Sequence, residues 1–93
     1  MGTFHDGKGE LHGITVVVDT DGPIVYVGRC WEMDDQRIVL LDADEFEEGK
    51  DGRTKQEFIR KAAQVGVWKK HDRVAVPGSI VKSVMPLGQV SPS

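Results

Sequence analysis

Apolar positions in the first half of the chain form three short runs separated by turn residues. Residues 14–18 are Ile, Thr and three valines, a β-branched run that is typical of a strand. Two further runs occupy residues 24–31 and 37–41. Asp21 and Gly22 between the first two runs favour a tight hairpin. The pattern predicts a three-stranded meander, whose short connections favour antiparallel pairing.

Two details of the meander predict its shape. Gly28 lies inside the second run, where a glycine indicates a sharp bend or a close backbone contact. The third run is apolar on both faces, as in a strand at the middle of a small barrel. The acidic residues 42–48 are then expected to leave the sheet as a solvated loop. They do not form a calcium site, because Phe46 interrupts the required ligand spacing.

Helical spacing replaces this pattern in the second half of the chain. Thr54 and Glu57 have the spacing of a capping box, and Gly66 is placed to end the helix. The apolar positions between them recur on one helical face: Phe58, Ile59, Ala62 and Ala63. We therefore predict one helix between the third strand and the strands that follow.

Two more strands are predicted at residues 73–76 and 79–87, on either side of a Pro-Gly turn. Residues 1–12 are rich in glycine and lack apolar periodicity, so we expect a flexible N-terminal arm. Residues 88–93 are expected to fray. The prediction is a single, mainly β domain over residues 13–87, built as a five-stranded, strongly bent antiparallel barrel with one helix.

Charge is divided unevenly along the 93 residues. Residues 1–49 carry three basic and twelve acidic side chains, a net charge of −9, whereas residues 50–73 carry eight basic and three acidic ones, a net charge of +5. We interpret the two as an acidic loop and a basic helix, both solvated. The alternative is that they meet between subunits, or that the basic segment contacts an anionic partner.

Several classes of protein are excluded or made improbable by composition. No apolar run approaches the roughly 20 residues that a membrane span requires, and the first residues lack the apolar core of a signal peptide. The single cysteine, Cys30, cannot form a disulfide within one chain. We expect a cytoplasmic protein without a membrane partner.

No arrangement of side chains indicates catalysis. His5, Asp6 and His12 lack the spacing of a metal site and are interpreted as part of a solvated arm. Cys30 has no histidine at a spacing that indicates pairing, so we interpret it as a small buried residue. No phosphate-binding loop or catalytic triad signature is present. We predict no enzyme activity, no metal and no cofactor.

Two tryptophans allow two interpretations. Trp31 and Trp68 are first taken as rings that complete a thin core. Alternatively, both rings stack on single-stranded bases while neighbouring cations hold phosphates: Arg29 beside Trp31, and Lys69, Lys70 and His71 beside Trp68.

The order of these features resembles the Sm-like family of small β-barrels. The first motif of that family combines an apolar strand, an Asp-Gly hairpin, an aromatic-x-Gly and an acidic turn before an apolar strand. It is matched here by residues 16–22 (VVVDTDG), 26–28 (YVG) and 33–43 (MDDQRIVLLDA). The second motif of the family is a short apolar strand, an Arg-Gly turn and a strand ending near an Ile-x-Pro, and residues 74–86 (VAVPGSIVKSVMP) correspond to it here.

The resemblance covers residues 13–43 and 73–87, about half of the chain, and implies an Sm-like, SH3-like barrel with a helical insertion at about 44–72. It implies a non-enzymatic binding or scaffold module that forms a homo-oligomeric ring. In the family, strand four of one subunit pairs with strand five of the next. The residues matching that interface are Arg73, Val74, Val76, Ile80, Val81 and Val84.

The resemblance also implies an RNA pocket, in which the family uses an Asp and an Asn before strand three and an Arg before the conserved Gly. The matching residues here are Asp34 or Asp35 for the Asp, and Arg37 or Ile38 for the Asn. Pro77 replaces the Arg. We thus expect altered RNA recognition, involving the following residues: Asp34, Asp35, Arg37, Gly78, Trp68, Lys69 and Lys70.

A second hypothesis needs no ring. In it the chain is a monomeric small β-barrel that docks on a partner protein through its inserted helix. The two hypotheses differ in the mass of the protein in solution.

Overall fold

The computed structural model describes residues 11–50 and 52–90, and in this part it contains five strands and one helix. In chain order these are β1 (Thr15–Thr20), β2 (Ile24–Met33), β3 (Arg37–Glu47), α1 (Lys55–Val65), β4 (His71–Pro77) and β5 (Val81–Pro86). All neighbouring strands are antiparallel, in the order β4-β3-β2-β1-β5. This confirms the predicted barrel-type sheet with one helix. No helix in the described ranges is long and apolar enough to cross a bilayer.

The sheet bends sharply where β2 and β3 lose their regular register. The register shifts between Val27 and Arg29, and on the opposite strand Asp42 adopts a φ of 50°, in the left-handed region. A side chain at Gly28 would place its Cβ 2.7 Å from the Cβ of Ala43. Gly28 is therefore required by the close approach of the two strands, which confirms the prediction of a close backbone contact.

Residues 42–47 of the acidic stretch stay in the sheet, so the prediction that residues 42–48 leave it was wrong for all but the last of them. β3 continues to Glu47, and Ala43, Asp44 and Phe46 in this stretch are buried. Burial of Asp44 is tolerated because its carboxylate accepts a hydrogen bond from the Glu45 N–H at 2.8 Å. The connection between β3 and β4 is therefore residues 48–70, shorter than the expected 44–72.

Two apolar clusters lie on opposite faces of the sheet. The barrel cluster fills the concave interior and consists of Val16, Val18, Cys30, Met33, Ile38, Leu40, Ala43 and Val76. The helix cluster lies between the outer face of the sheet and α1, and consists of Val17, Val25, Val27, Phe46, Phe58 and Ala62. Because β1 contributes alternate valines to both clusters, its three consecutive valines are all buried.

The helix is capped as predicted and is attached to the sheet at its first turn. The Thr54 hydroxyl accepts from the Glu57 N–H, and the Glu57 carboxylate accepts from the Thr54 N–H, which completes the capping box. Lys55 Nζ lies 2.7 Å from Asp19 Oδ1 and also donates to two carbonyls of the β1–β2 turn. Gly66 ends the helix with a φ of 94°.

The described residues at both ends of the chain pack against the domain, whereas the sequence predicted a flexible arm and a frayed end. Residues 1–10, most of the predicted flexible arm including His5 and Asp6, lie outside the described residues, as do residues 91–93. Leu11 packs against the barrel cluster, and a ring nitrogen of His12 lies 2.7 Å from the carbonyl of Trp31. Residues 88–90 were expected to fray, but a 3-10 turn (Leu87–Gln89) leads to Val90, which packs against the helix cluster.

Candidate functional site

The β2–β3 turn lies against the β4–β5 turn, and we call residues 34–37 together with residues 77–78 the loop pair. The Gly78 N–H donates to the Gln36 carbonyl at 2.8 Å. A Cβ at Gly78 would lie 2.8 Å from the Asp35 carbonyl oxygen, so only glycine permits this approach. Arg37 pairs with Pro77 in the β3–β4 ladder. The structure thus brings Asp34, Asp35, Arg37 and Gly78 together, as the motifs implied.

Asp34 shapes the loop pair through its side chain. Its Oδ1 accepts hydrogen bonds from the N–H groups of Gln36 and Arg37, each at 2.9 Å. This is the arrangement by which an aspartate stabilises a turn at the residues that follow it. Asp34 therefore has a structural role in the turn, while the neighbouring Asp35 and Arg37 are exposed to solvent.

The exposed residues of the loop pair offer both signs of charge. Arg37 supplies a permanent cation suited to phosphate, and Asp35 supplies an acceptor. Pro77 supplies no side-chain donor. Gln36, which the sequence analysis did not single out, is exposed in the same turn and carries an amide with both donor and acceptor groups. The signal that could have identified it is an amide side chain within an otherwise acidic turn.

Trp68, Lys69 and Lys70 lie at the other end of the β3–β4 ladder. They precede β4, whose first residue, His71, pairs with Ala43, whereas the loop pair lies at its last residue. A strand of this length separates the two ends by roughly 20 Å. The residues predicted to bind RNA therefore form two separate sets.

The two lysines of the second set are paired with carboxylates. Lys69 Nζ lies 2.8 Å from Asp72 Oδ1 and 3.7 Å from Asp42 Oδ1, and Lys70 Nζ lies 3.5 Å from Asp44 Oδ1. The hydrogen bond and charge of Asp72 raise the pKa of Lys69, and Lys69 in turn lowers the pKa of Asp72. The positive charge that these lysines present to phosphate is correspondingly reduced.

Neither tryptophan completes the core, so the first interpretation of both rings was wrong. Trp31 is 46% exposed and Trp68 is 81% exposed. Trp31 follows the buried Cys30 on β2, so strand alternation directs its ring to the face of the sheet opposite the barrel cluster, and the helix cluster does not include it. Cys30 beside it is fully buried, and burial raises the pKa of its thiol. The interpretation of Cys30 as a small buried residue is confirmed.

The residues predicted for a subunit interface lie on the two edge strands or in the turn between them: Arg73, Val74, Val76, Ile80, Val81 and Val84. Val76 is buried in the protomer's own barrel cluster, whereas Arg73 and Ile80 are exposed. The three other valines are half-buried and pack against the same cluster. An interface along these strands would therefore use mainly backbone groups and the exposed side chains.

A mixed-charge cleft of about 560 Å³ lies beside the end of β3. A ring nitrogen of His71 lies 2.6 Å from Glu45 Oε1, and the Arg53 guanidinium lies 5.1 Å from the centre of the Phe46 ring. Within this cleft His71 is therefore paired with Glu45, and Arg53 packs over the Phe46 ring. Within the described ranges, no three His, Cys, Asp or Glu side chains are grouped to hold a metal.

Comparison with solved structures identifies a neighbour with the same fold. It is the Sm protein of Pyrococcus abyssii, solved in complex with a uridine heptamer, with a TM-score of 0.62 and 19% sequence identity. The match covers 88% of this chain and 94% of that one. No family model matches the sequence, and no curated protein matches it. The chain has an Sm-like fold.

Proposed function

We propose that this chain is a non-enzymatic binding or scaffold module that assembles into a homo-oligomeric ring in the cytoplasm. The observation that carries the proposal is the strand order, which leaves β4 and β5 at the two edges of one bent sheet. Each edge presents unpaired backbone donors and acceptors, which favour pairing with another chain. Pairing β4 of one protomer with β5 of the next satisfies both edges, and the resulting head-to-tail contact closes when its rotation divides a full turn.

The side chains at these edges are compatible with such pairing. Ala75 on β4 and Ser83 on β5 are exposed and small, so they leave room for a neighbouring strand. Ile80 and Met85 are exposed apolar residues on the same part of the protomer. Covering them would remove apolar surface from water.

The mass of the protein in solution tests the ring. By light scattering on a sizing column, we expect one species of roughly five to seven subunits, each of 10.3 kDa. The double variant Ala75→Glu/Ser83→Glu places like charges on both edges and should give a monomer. Gln56→Glu/Gln89→Glu adds the same charge at exposed sites on α1 and the last 3-10 turn, and should keep the ring. A monomeric parent protein, or equal masses for both variants, contradicts the proposal.

We further propose that the ring binds single-stranded RNA at the loop pair. Support comes from the Sm-like fold, the neighbour's uridine heptamer and the position of Asp35, Gln36 and Arg37 beside Gly78. Since Pro77 lacks a donor, Arg37 carries the phosphate contact and the turn amide contributes to base recognition. Contact of RNA with Trp68, Lys69 and Lys70 stays a prediction, weakened by the carboxylate partners of both lysines.

Fluorescence anisotropy of labelled oligouridine tests the RNA site. Arg37→Ala should weaken binding by about threefold to tenfold and reduce its salt dependence, because a phosphate contact is lost. Arg60→Ala removes an exposed arginine from α1 and should leave the affinity unchanged. Equal effects of the two variants would place RNA binding elsewhere, and no binding at low salt would exclude it.

A further inference from the structure

A groove of about 250 Å³ lies between the end of α1 and the segment leading to β4. Phe58 and Ala62 form its buried floor, and Val65, Val67 and Trp68 line its sides. Pockets that enclose a whole small molecule are commonly about 300–1,000 Å³. The groove is smaller than these and has the size and lining for one large apolar side chain.

The apolar sides of this groove are unusually open to solvent. Val65 is 62% exposed and Trp68 is 81% exposed, although they adjoin the buried Phe58 and Ala62. A large exposed apolar patch beside polar residues marks an interaction surface. Tryptophan at the edge of a small pocket is typical of the side chains that dominate protein–protein binding energy.

The rim of the groove is basic. Arg53 and Lys61 line it, and Arg60 is exposed next to Lys61 on the helix. Neither Arg60 nor Lys61 forms an ion pair with another described residue. The one carboxylate in the lining, Asp44, is opposed by Lys70. A ligand of complementary charge is therefore acidic.

We propose that this groove docks a short acidic peptide segment of a partner protein. One large apolar side chain of the segment enters between α1 and Trp68, and flanking carboxylates face Arg60 and Lys61. In this arrangement one buried side chain anchors the peptide, and charged residues at the rim of the groove contact the segments on either side of that anchor. The proposal concerns a surface other than the loop pair and the strand edges, so it does not depend on the ring or on RNA.

The lining favours a peptide over a nucleic acid. A base needs a flat aromatic face with nearby cations for its phosphates. Here the two lysines that follow Trp68 are paired with Asp42, Asp72 and Asp44, so they offer little free positive charge to the successive phosphates of a strand, whereas Arg60 and Lys61 lie on the helix side of the groove. The remaining apolar lining combines the Phe58 ring with the aliphatic side chains of Ala62, Val65 and Val67, a surface that fits a leucine or phenylalanine side chain.

Selection from a phage-displayed library of short random peptides on the full chain tests the proposal. We expect the recovered sequences to share a large apolar residue flanked by Asp or Glu. For the best synthetic peptide, anisotropy should show about a tenfold or greater loss of affinity in Trp68→Ser. Lys61→Glu should weaken binding by about threefold to tenfold, and added salt should weaken binding to the parent protein.

Two matched variants serve as controls. Trp31→Ser removes the other exposed tryptophan, and Lys50→Glu makes the same charge change outside the groove; both should retain the affinity of the parent protein. Recovery of no common sequence, selection of basic peptides, or equal effects of groove and control variants would overturn the proposal. So would oligouridine binding that is lost in Trp68→Ser and that displaces the selected peptide, because the groove would then be a nucleic-acid site.

Discussion

The barrel cluster and the helix cluster share the same strands but are closed in different ways. The barrel cluster draws side chains from four strands, and the curvature of the sheet itself encloses them. The helix cluster is closed by two side chains of α1, Phe58 and Ala62, with Phe58 stacked on Phe46 at 4.9 Å between ring centres. The interior of the barrel is fully shielded from water, whereas the helix side retains some exposure.

This difference indicates two levels of stability in one small domain. Opening the barrel cluster requires the breaking of strand pairs, which removes much of the sheet. Opening the helix cluster requires only that α1 separate from the sheet, with loss of the Lys55 contacts and the Phe46–Phe58 stack. Regions held by few buried contacts open at lower free energy than the core of the sheet. The exposed groove of Trp68 belongs to the less stable side.

The largest effect is expected from truncation inside the barrel cluster. Leu40→Ala removes a fully buried side chain and should lower the free energy of unfolding by about 2–5 kcal/mol. Urea denaturation measures this change. Leu41→Ala is the matched control. Because Leu41 is only half-buried, its truncation should lower the free energy of unfolding by less. Equal losses at the two positions would mean that the barrel interior is not the main core.

Truncation in the helix cluster should have a smaller and more local effect. Phe58→Ala should lower the free energy of unfolding by about 3 kcal/mol, the lower end for such truncations, because separation of α1 limits the loss. Hydrogen exchange should show faster exchange of α1 amides while the amides of β2 and β3 stay protected. Simultaneous loss of protection in strands and helix would show that the two clusters open as one unit.

Removal of the helix cap should lower the free energy of unfolding by less than truncation in either cluster. Thr54→Ala deletes the hydroxyl that accepts from the Glu57 N–H and should cost about 1 kcal/mol. The helical circular dichroism signal and urea denaturation measure it. Gln56→Ala changes an exposed position of the same first turn and should leave stability almost unchanged. An effect of Gln56→Ala as large as that of the cap variant would contradict this assignment.

The smallest effect on stability is expected from loss of the exposed Lys69–Asp72 ion pair, which belongs to neither cluster. Because the pKa of Asp72 is lowered, its stabilising contribution is present above its ordinary pKa and is lost as pH falls through the lowered value. Nuclear magnetic resonance titration should show the pKa of Asp72 rising towards its ordinary value in Lys69→Met. Arg73→Met is the control with an unaltered pair. An unchanged Asp72 pKa in Lys69→Met would show that the pair does not form in solution.

Local patterns in the sequence predicted much of this fold. The β-branched runs, the Asp-Gly hairpin and the capping box of Thr54 each act within a few residues, so they are visible in the chain itself. Gly28 was also predictable, because a glycine inside a strand commonly reports a close neighbour. The residues of the loop pair, including Asp34 and Gly78, are distant in sequence, and the contact between their two turns is seen in the structure.

The tertiary structure decided the features that depend on pairing between distant residues. The acidic residues 42–48 look like a loop, yet β2 pairs with this stretch and extends β3 to Glu47. Trp31 lies on the face of β2 opposite the barrel cluster, and only the folded structure shows that the helix cluster does not include it. Likewise, Asp42 and Asp44 on β3 are distant in sequence from Lys69 and Lys70, so these ion pairs are visible only after folding.

The sequence by itself therefore determined the strands, the capped helix and the glycines on which the bends depend, since these follow from the conformational preferences of single residues and near neighbours. Only the tertiary structure decided which charges cancel, which aromatic rings stay in water and where the groove beside Trp68 forms. Those outcomes depend on distances across the sheet, and distances of that kind are set by register and curvature rather than by local preference.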